Sequence, residues 1–127
     1  LEDNDELLLR QVIAIWLDEG RPVSRAFRPN TSDDGQLSVD RNSIVTPREA
    51  YEAYLAKSRG SAGVWALSVG ECAANKLATY SDSLEDNDAH AVIDFNPHAD
   101  KEWRNISKRL YAHAIRRNRL YPIDEAA

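Results

Sequence analysis

The sequence holds a single cysteine among its 127 residues, Cys72. No intramolecular disulfide can form, so a framework stapled by bridges is excluded, and a lone thiol suits a reducing compartment. Methionine is absent, and Leu1 stands where an initiator would, which reads as a chain that begins inside a longer product. No apolar run comes near the roughly 20 residues that cross a bilayer, and the start lacks the basic and then apolar order of a secretory signal. The expectation is a cytoplasmic protein with no membrane segment. The five glycines form no phosphate-cradling loop, and neither a CxxC pair nor a GxSxG elbow occurs. These absences remove the commonest nucleotide-binding, redox and serine-hydrolase signatures. The three histidines, His90, His98 and His113, are dispersed, and His98 with Asp100 is too short a constellation for a metal site. No metal and no cofactor is expected.

What is present fits one domain over residues 1–127. Hydrophobic residues make up 43% and charged residues 29%, the balance of a soluble globular chain long enough to bury its own core. The net charge of −5 conceals a polarity. Lys101 to Arg119 carries seven basic residues against Glu102 alone, a local +6 that leaves −11 on the rest. Such a distribution suits docking or self-association.

Local signals order the chain. Thr46-Pro47-Arg48-Glu49 is a capping-box start with proline at the first helical position, predicting a helix from Pro47 to about Ser58 with Ala50, Tyr51, Tyr54 and Leu55 inward and Gly60 as its stop. Gly63 to Val69 is apolar on both alternating faces, which predicts a strand at the centre of a sheet, followed by a short helix to about Thr79. Ser81 to Asp88 is a polar loop, and Ala89 to Phe95 a second strand. Asn96-Pro97 opens a long helix to about Asn118, its buried stripe running through Trp103, Ile106, Leu110, Tyr111, Ala114 and Ile115. Toward the start, Glu6 to Leu17 is apolar nearly all round and is assigned as helix over an extended alternative. Gly20-Arg21-Pro22 turns the chain, Val23 to Arg28 is extended, and Asp33-Asp34-Gly35 is a hairpin-type turn into Leu37-Ser38-Val39. The fold class is α+β: a small mixed sheet of about four strands, three to four helices, and a long C-terminal helix.

Three places could carry chemistry. Cys72 near a helix N-terminus, with His90 as its base, would make a nucleophilic pair. Asp94 lies about 13 Å from His90 at ~3.3 Å per strand residue, too far to orient the imidazole. The competing interpretation makes Cys72 a small core residue and is favoured, since free cysteines are among the most buried residues and Glu71 next door would raise the thiol pKa. Arg25, Arg28, Ser38 and Arg41 could grip a phosphate or carboxylate bidentately. Against that, an ion pair of Arg25 with Asp40, Glu49 or Asp94 is the favoured structural explanation. Lys108, Arg109, Arg116, Arg117 and Arg119 on the last helix could meet another protein's acidic surface. They could also meet nucleic acid phosphates, though a domain of that kind is usually basic overall.

The blocks Gly20-Arg21-Pro22-Val23-Ser24-Arg25-Ala26-Phe27-Arg28-Pro29, Gln36-Leu37-Ser38-Val39, Gly63 to Cys72 and His90 to Phe95 together resemble a family of small, uncharacterised bacterial proteins. The resemblance covers most of residues 20 to 95. It implies a bacterial setting and a single domain built around one sheet, and no activity.

The functional expectation is a small non-catalytic binding or accessory protein, a partner subunit of the kind found in bacterial toxin, immunity or phage-defence systems. Its partner is expected to be another protein with an acidic surface, and self-association is compatible with the charge polarity. The alternative is an enzyme or ligand-binding domain for an anionic substrate held by Arg25 and Arg28 near Cys72 and His90. A further alternative is nucleic-acid binding through the basic helix.

Overall fold

Residues 7 to 12 decide the architecture. They form strand β1 (Leu7–Val12), where the sequence suggested a helix over Glu6 to Leu17. As a strand, β1 sends Leu8 and Val12 into one core and Leu9 into another. Both faces are buried, so the apolar run shows no alternation, and a two-sided strand resembles an all-round apolar helix in sequence. The structure, a computed structural model, describes residues 1–30 and 33–123.

After β1 come a two-stranded ribbon, β2 (Leu17–Asp18) with β3 (Arg21–Pro22), and a 3-10 turn over Ser24–Phe27. Glu19 (φ 53°) and Gly20 (φ 81°) both take the left-handed region, the requirement of a two-residue I′ turn. Then follow β4 (Gln36–Arg41), α1 (Pro47–Ala56), β5 (Gly63–Ser68), α2 (Val69–Ala74), β6 (Ala78–Ser81), β7 (His90–Asp94) and α3 (Asp100–Arg117). The main sheet has the order β5-β1-β4-β7-β6, antiparallel at every pairing. The fold is α+β with a long C-terminal helix, as the sequence indicates, on five strands where about four were expected.

One face of the sheet carries Leu8, Leu37, Val39, Leu67, Ala91 and Ile93 against the 3-10 turn, α2 and α3; the other places Leu9, Val64 and Ala66 against α1. Strand β5 is an edge and not the centre. All six of its residues are nonetheless buried, because the segment after α3 covers its outer side. Val64 N donates to Tyr121 O at 2.8 Å, Leu120 N donates to Val64 O at 2.8 Å, and Arg117 Nη1 donates to Ala66 O at 3.2 Å. The edge is thereby closed to foreign strands.

Three further boundaries differ from expectation. Val23 to Arg28 is not extended, because its middle winds into the 3-10 turn that buries Ala26 and Phe27 together. The helix after Cys72 stops at Ala74: Asn75 caps it, Lys76 turns with φ 58°, and Ala78 to Ser81 joins the sheet as β6. The last helix begins at Asp100, since Asn96 Nδ2 donates to Asp34 O at 2.8 Å and His98 N bonds back to Phe95 O at 3.0 Å. That spends Asn96-Pro97 on a turn instead of a cap.

A carboxylate clip closes the sheet end where β4 meets the residue before β1. Arg41 donates Nε to Glu6 Oε2 at 2.7 Å and Nη2 to Oε1 at 2.9 Å, and Ser43 Oγ adds a bond at 2.9 Å. The Arg41 hydrogen bonds hold the Glu6 carboxyl below its ordinary range against burial, which raises it. A carboxyl depressed by folding contributes stability above its unfolded pKa of about 4.3 and loses it as pH falls through the folded value. Glu6→Gln is therefore expected to cost about 1–2 kcal/mol at pH 7. The gap from the parent should narrow as pH falls below about 4.3, which urea unfolding at pH 7 and at pH 3 would measure.

Candidate functional site, a cationic groove beside the last helix

Cys72 and His90 are not brought together. Cys72 has no solvent exposure and packs in the core that Ala91 and Ile93 of β7 enter. Burial, then the charge of Glu71, pushes its thiol up to about 12. His90 is adjacent to Ala91 along β7 and so faces the opposite side of the sheet. There its Nδ1 lies 3.0 Å from Asp82 O and 3.1 Å from the Asp82 carboxylate. The sheet separates thiol from imidazole. Asp94 accepts the Asn96 backbone N–H at 3.0 Å.

The arginines of the 3-10 turn have a different fate. Burying Ala26 and Phe27 turns Arg25 and Arg28 outward against α3. Arg25 donates Nη1 to Arg28 O at 3.0 Å and Nη2 to Asn30 Oδ1, and its guanidinium lies 5.7 Å from the Trp16 ring centroid. It has no ion pair with Asp40, Glu49 or Asp94, the structural explanation favoured from the sequence. Arg28 Nη1 reaches Ser107 Oγ at 3.2 Å. Lys101 and Arg104, one turn apart on α3, complete a groove of about 410 Å³ around Arg25 and Arg28, with Trp103 in its wall and Asp100 its one acidic lining residue. Among the described residues none of these four cations makes a carboxylate salt bridge. Their mutual repulsion registers at Arg28, whose pKa is lowered by burial and then by Arg25 and Arg104. Lys108 continues the row one turn further, lining a second depression with Arg21.

The other sequence candidates are dispersed. Ser38 lies on the α1 side of the sheet, and Arg41 is held by Glu6. Of the last helix's cations, Arg117 makes a bidentate pair with Glu71 at 2.6 and 2.9 Å. Arg109 Nε donates to Asn75 Oδ1 at 2.6 Å, and Arg119 Nε to Pro122 O at 2.8 Å. Arg116 and Lys108 are exposed. Lys101 and Arg104, absent from the sequence-derived set, had a signal: with Lys108 they follow i, i+3, i+7 spacing and must share a helix face.

Among the described residues no group of three or more His, Cys, Asp or Glu side chains converges as a metal site needs, and no helix is long and apolar enough to cross a membrane. No protein-family model matches the chain, nor does any curated protein or solved structure.

Proposed function

We propose that the chain is a non-catalytic binding protein that docks an acidic protein surface through Arg25, Arg28, Lys101, Arg104 and Lys108. The observation that carries this reading is the groove itself, where four cations face one carboxylate and no salt bridge offsets their repulsion. Uncompensated like charge is unfavourable in the free protein and becomes favourable once an acidic surface arrives. The burial of Cys72, with His90 on the opposite side of the sheet, supports a binding role over covalent catalysis. A protein partner is favoured over nucleic acid because the chain as a whole carries −5, so its other faces would repel a long polyanion.

A poly-glutamate peptide and a single-stranded oligonucleotide are suitable probes. Saturable binding of the peptide is expected, weakening as ionic strength rises through about 0.1 M. The double reversal Arg28→Glu with Arg104→Glu is expected to reduce it by about tenfold or more, with an unchanged circular dichroism spectrum. Tighter retention of the oligonucleotide than of the peptide, or reversal without effect, would defeat the proposal.

A further inference from the structure

Three of the four cations in the groove beside α3 are arginines, and the fold sets two of them in place. Arg28 Nη1 donates to Ser107 Oγ at 3.2 Å, and Ser107, which has no solvent exposure, turns its own proton to Arg104 O at 2.9 Å. Arg28 is thus anchored by one nitrogen. Its Nε and Nη2 have no acceptor among the described residues. Arg25 is held by Nη1 on Arg28 O and by Nη2 on Asn30 Oδ1, and its Nε is likewise unused. The side chains of Lys101 and Arg104 make no hydrogen bond among the described residues.

These donors face little negative charge. Asp100 is the one carboxylate in the lining, so four cations against one anion leave a net +3 around a groove of about 410 Å³. The arginines also cluster: burial first, and then the charges of Arg25 and Arg104, lower the Arg28 pKa. A glutamate run matches such a cluster poorly. Acidic side chains on one side of an extended peptide lie about 7 Å apart at ~3.3 Å per residue, and one guanidinium fork takes up both oxygens of a carboxylate. A phosphate monoester instead concentrates about −1.5 to −2 charges and three acceptor oxygens at one point, where two forks can share them. An ammonium has no fork to offer, which gives the choice of arginine at three positions a reason.

Trp103 supplies a fixed wall beside the cations. Its Nε1 donates to Phe95 O and to His98 O, both at 3.1 Å, and its ring meets Phe95 edge-on with centroids 5.7 Å apart. Resting on the docking role proposed above, we propose that the segment received by this groove carries a phosphate monoester, a phosphorylated side chain of the partner protein. Arg28 and Arg104 share its oxygens, Arg25 and Lys101 add charge, and Trp103 lies along the carbon part of that side chain. A nucleic acid backbone fits less well, since its diesters bring one charge each and a long polyanion meets the chain's overall −5.

The test is calorimetry on the full chain with three versions of one short alanine and glycine peptide, its central residue serine, glutamate or phosphoserine. The phosphoserine peptide is expected to bind about tenfold tighter than the glutamate peptide, or better, and the serine peptide not at all. Arg28→Lys with Arg104→Lys keeps both charges and removes both forks. It is expected to weaken the phosphoserine peptide by about tenfold and the glutamate peptide by a smaller factor; an equal loss for both would count against the forks and so against the proposal. Equal affinity of the parent for the two charged peptides, with poly-glutamate still bound, overturns the phosphate and leaves the docking role standing. If poly-glutamate and both charged peptides fail to bind, the docking role falls with it. Inorganic phosphate bound as tightly as the phosphoserine peptide would assign the site to a free anion, and an oligonucleotide bound more tightly would assign it to nucleic acid. Either result overturns the proposal.

Discussion

Replacing Phe27 with alanine is expected to lower the free energy of unfolding by about 3–5 kcal/mol and the melting temperature by about 10–20 °C for a chain of this length. Phe27 is fully buried and packs in the cluster that contains Ile106, Leu110 and Ala114 of α3. A truncated ring there leaves a void that close-packed neighbours cannot fill without moving. The residue also has a positional role. Arg25 lies in the 3-10 turn and Arg28 directly follows it, and their outward direction depends on Ala26 and Phe27 being held inward. A weakened anchor should blur the groove, so binding of the acidic peptide should fall even under conditions where the variant remains folded. Urea unfolding together with the peptide titration measures both effects. A loss under about 1 kcal/mol, the level of a surface substitution, would mean that the turn is held by something other than this side chain.

The second large effect is expected at Glu71. Its backbone N–H donates to Ser68 Oγ at 3.0 Å and its carboxylate accepts the Ser68 N–H at 2.8 Å, a capping box at the start of α2. The same carboxylate takes both Arg117 bonds and lies 3.1 Å from His113 Nδ1. Burial acts to raise the Glu71 pKa, but Arg117, Ser68 and His113 together outweigh it and the net direction is down. Glu71→Ala removes the carboxylate half of the capping box, the backbone bond to Ser68 Oγ remaining, and strands a partly buried guanidinium, which together should cost about 2–3 kcal/mol. Arg117→Ala should cost less, since Glu71 keeps Ser68 and His113. Chemical denaturation of the two variants side by side gives the ordering. Equal losses would indicate that the ion pair matters and the carboxylate's bond to the Ser68 N–H does not.

Sequence was most informative where a local rule dictates the structure. Thr46 and Glu49 form the reciprocal box that their spacing announces, and α1 follows from Pro47. Ser68-Val69-Gly70-Glu71 has the same spacing and forms the same box at the start of α2, although from the sequence Glu71 is weighed only as a neighbour of the Cys72 thiol. Non-local facts were closed to sequence. The position of β5 could not be inferred from Gly63 to Ser68, because its burial is supplied by Arg117, Leu120 and Tyr121 some fifty residues onward. In the same way Leu7 to Val12 carries no periodicity to separate strand from helix, as both of its faces meet apolar neighbours. The groove was half legible. Arg25 and Arg28 stood out, but only the 3-10 turn, set by the burial of Phe27, brings them against Lys101 and Arg104.

The isolation of Cys72 has a practical consequence. With one thiol in 127 residues, buried in the main core and held protonated, a thiol-reactive dye can label the chain only when that core opens. The labelling rate then reports the frequency of a cooperative opening event at a single known point. The sequence contains its own unfolding clock, and every variant above can be read by it without adding a probe.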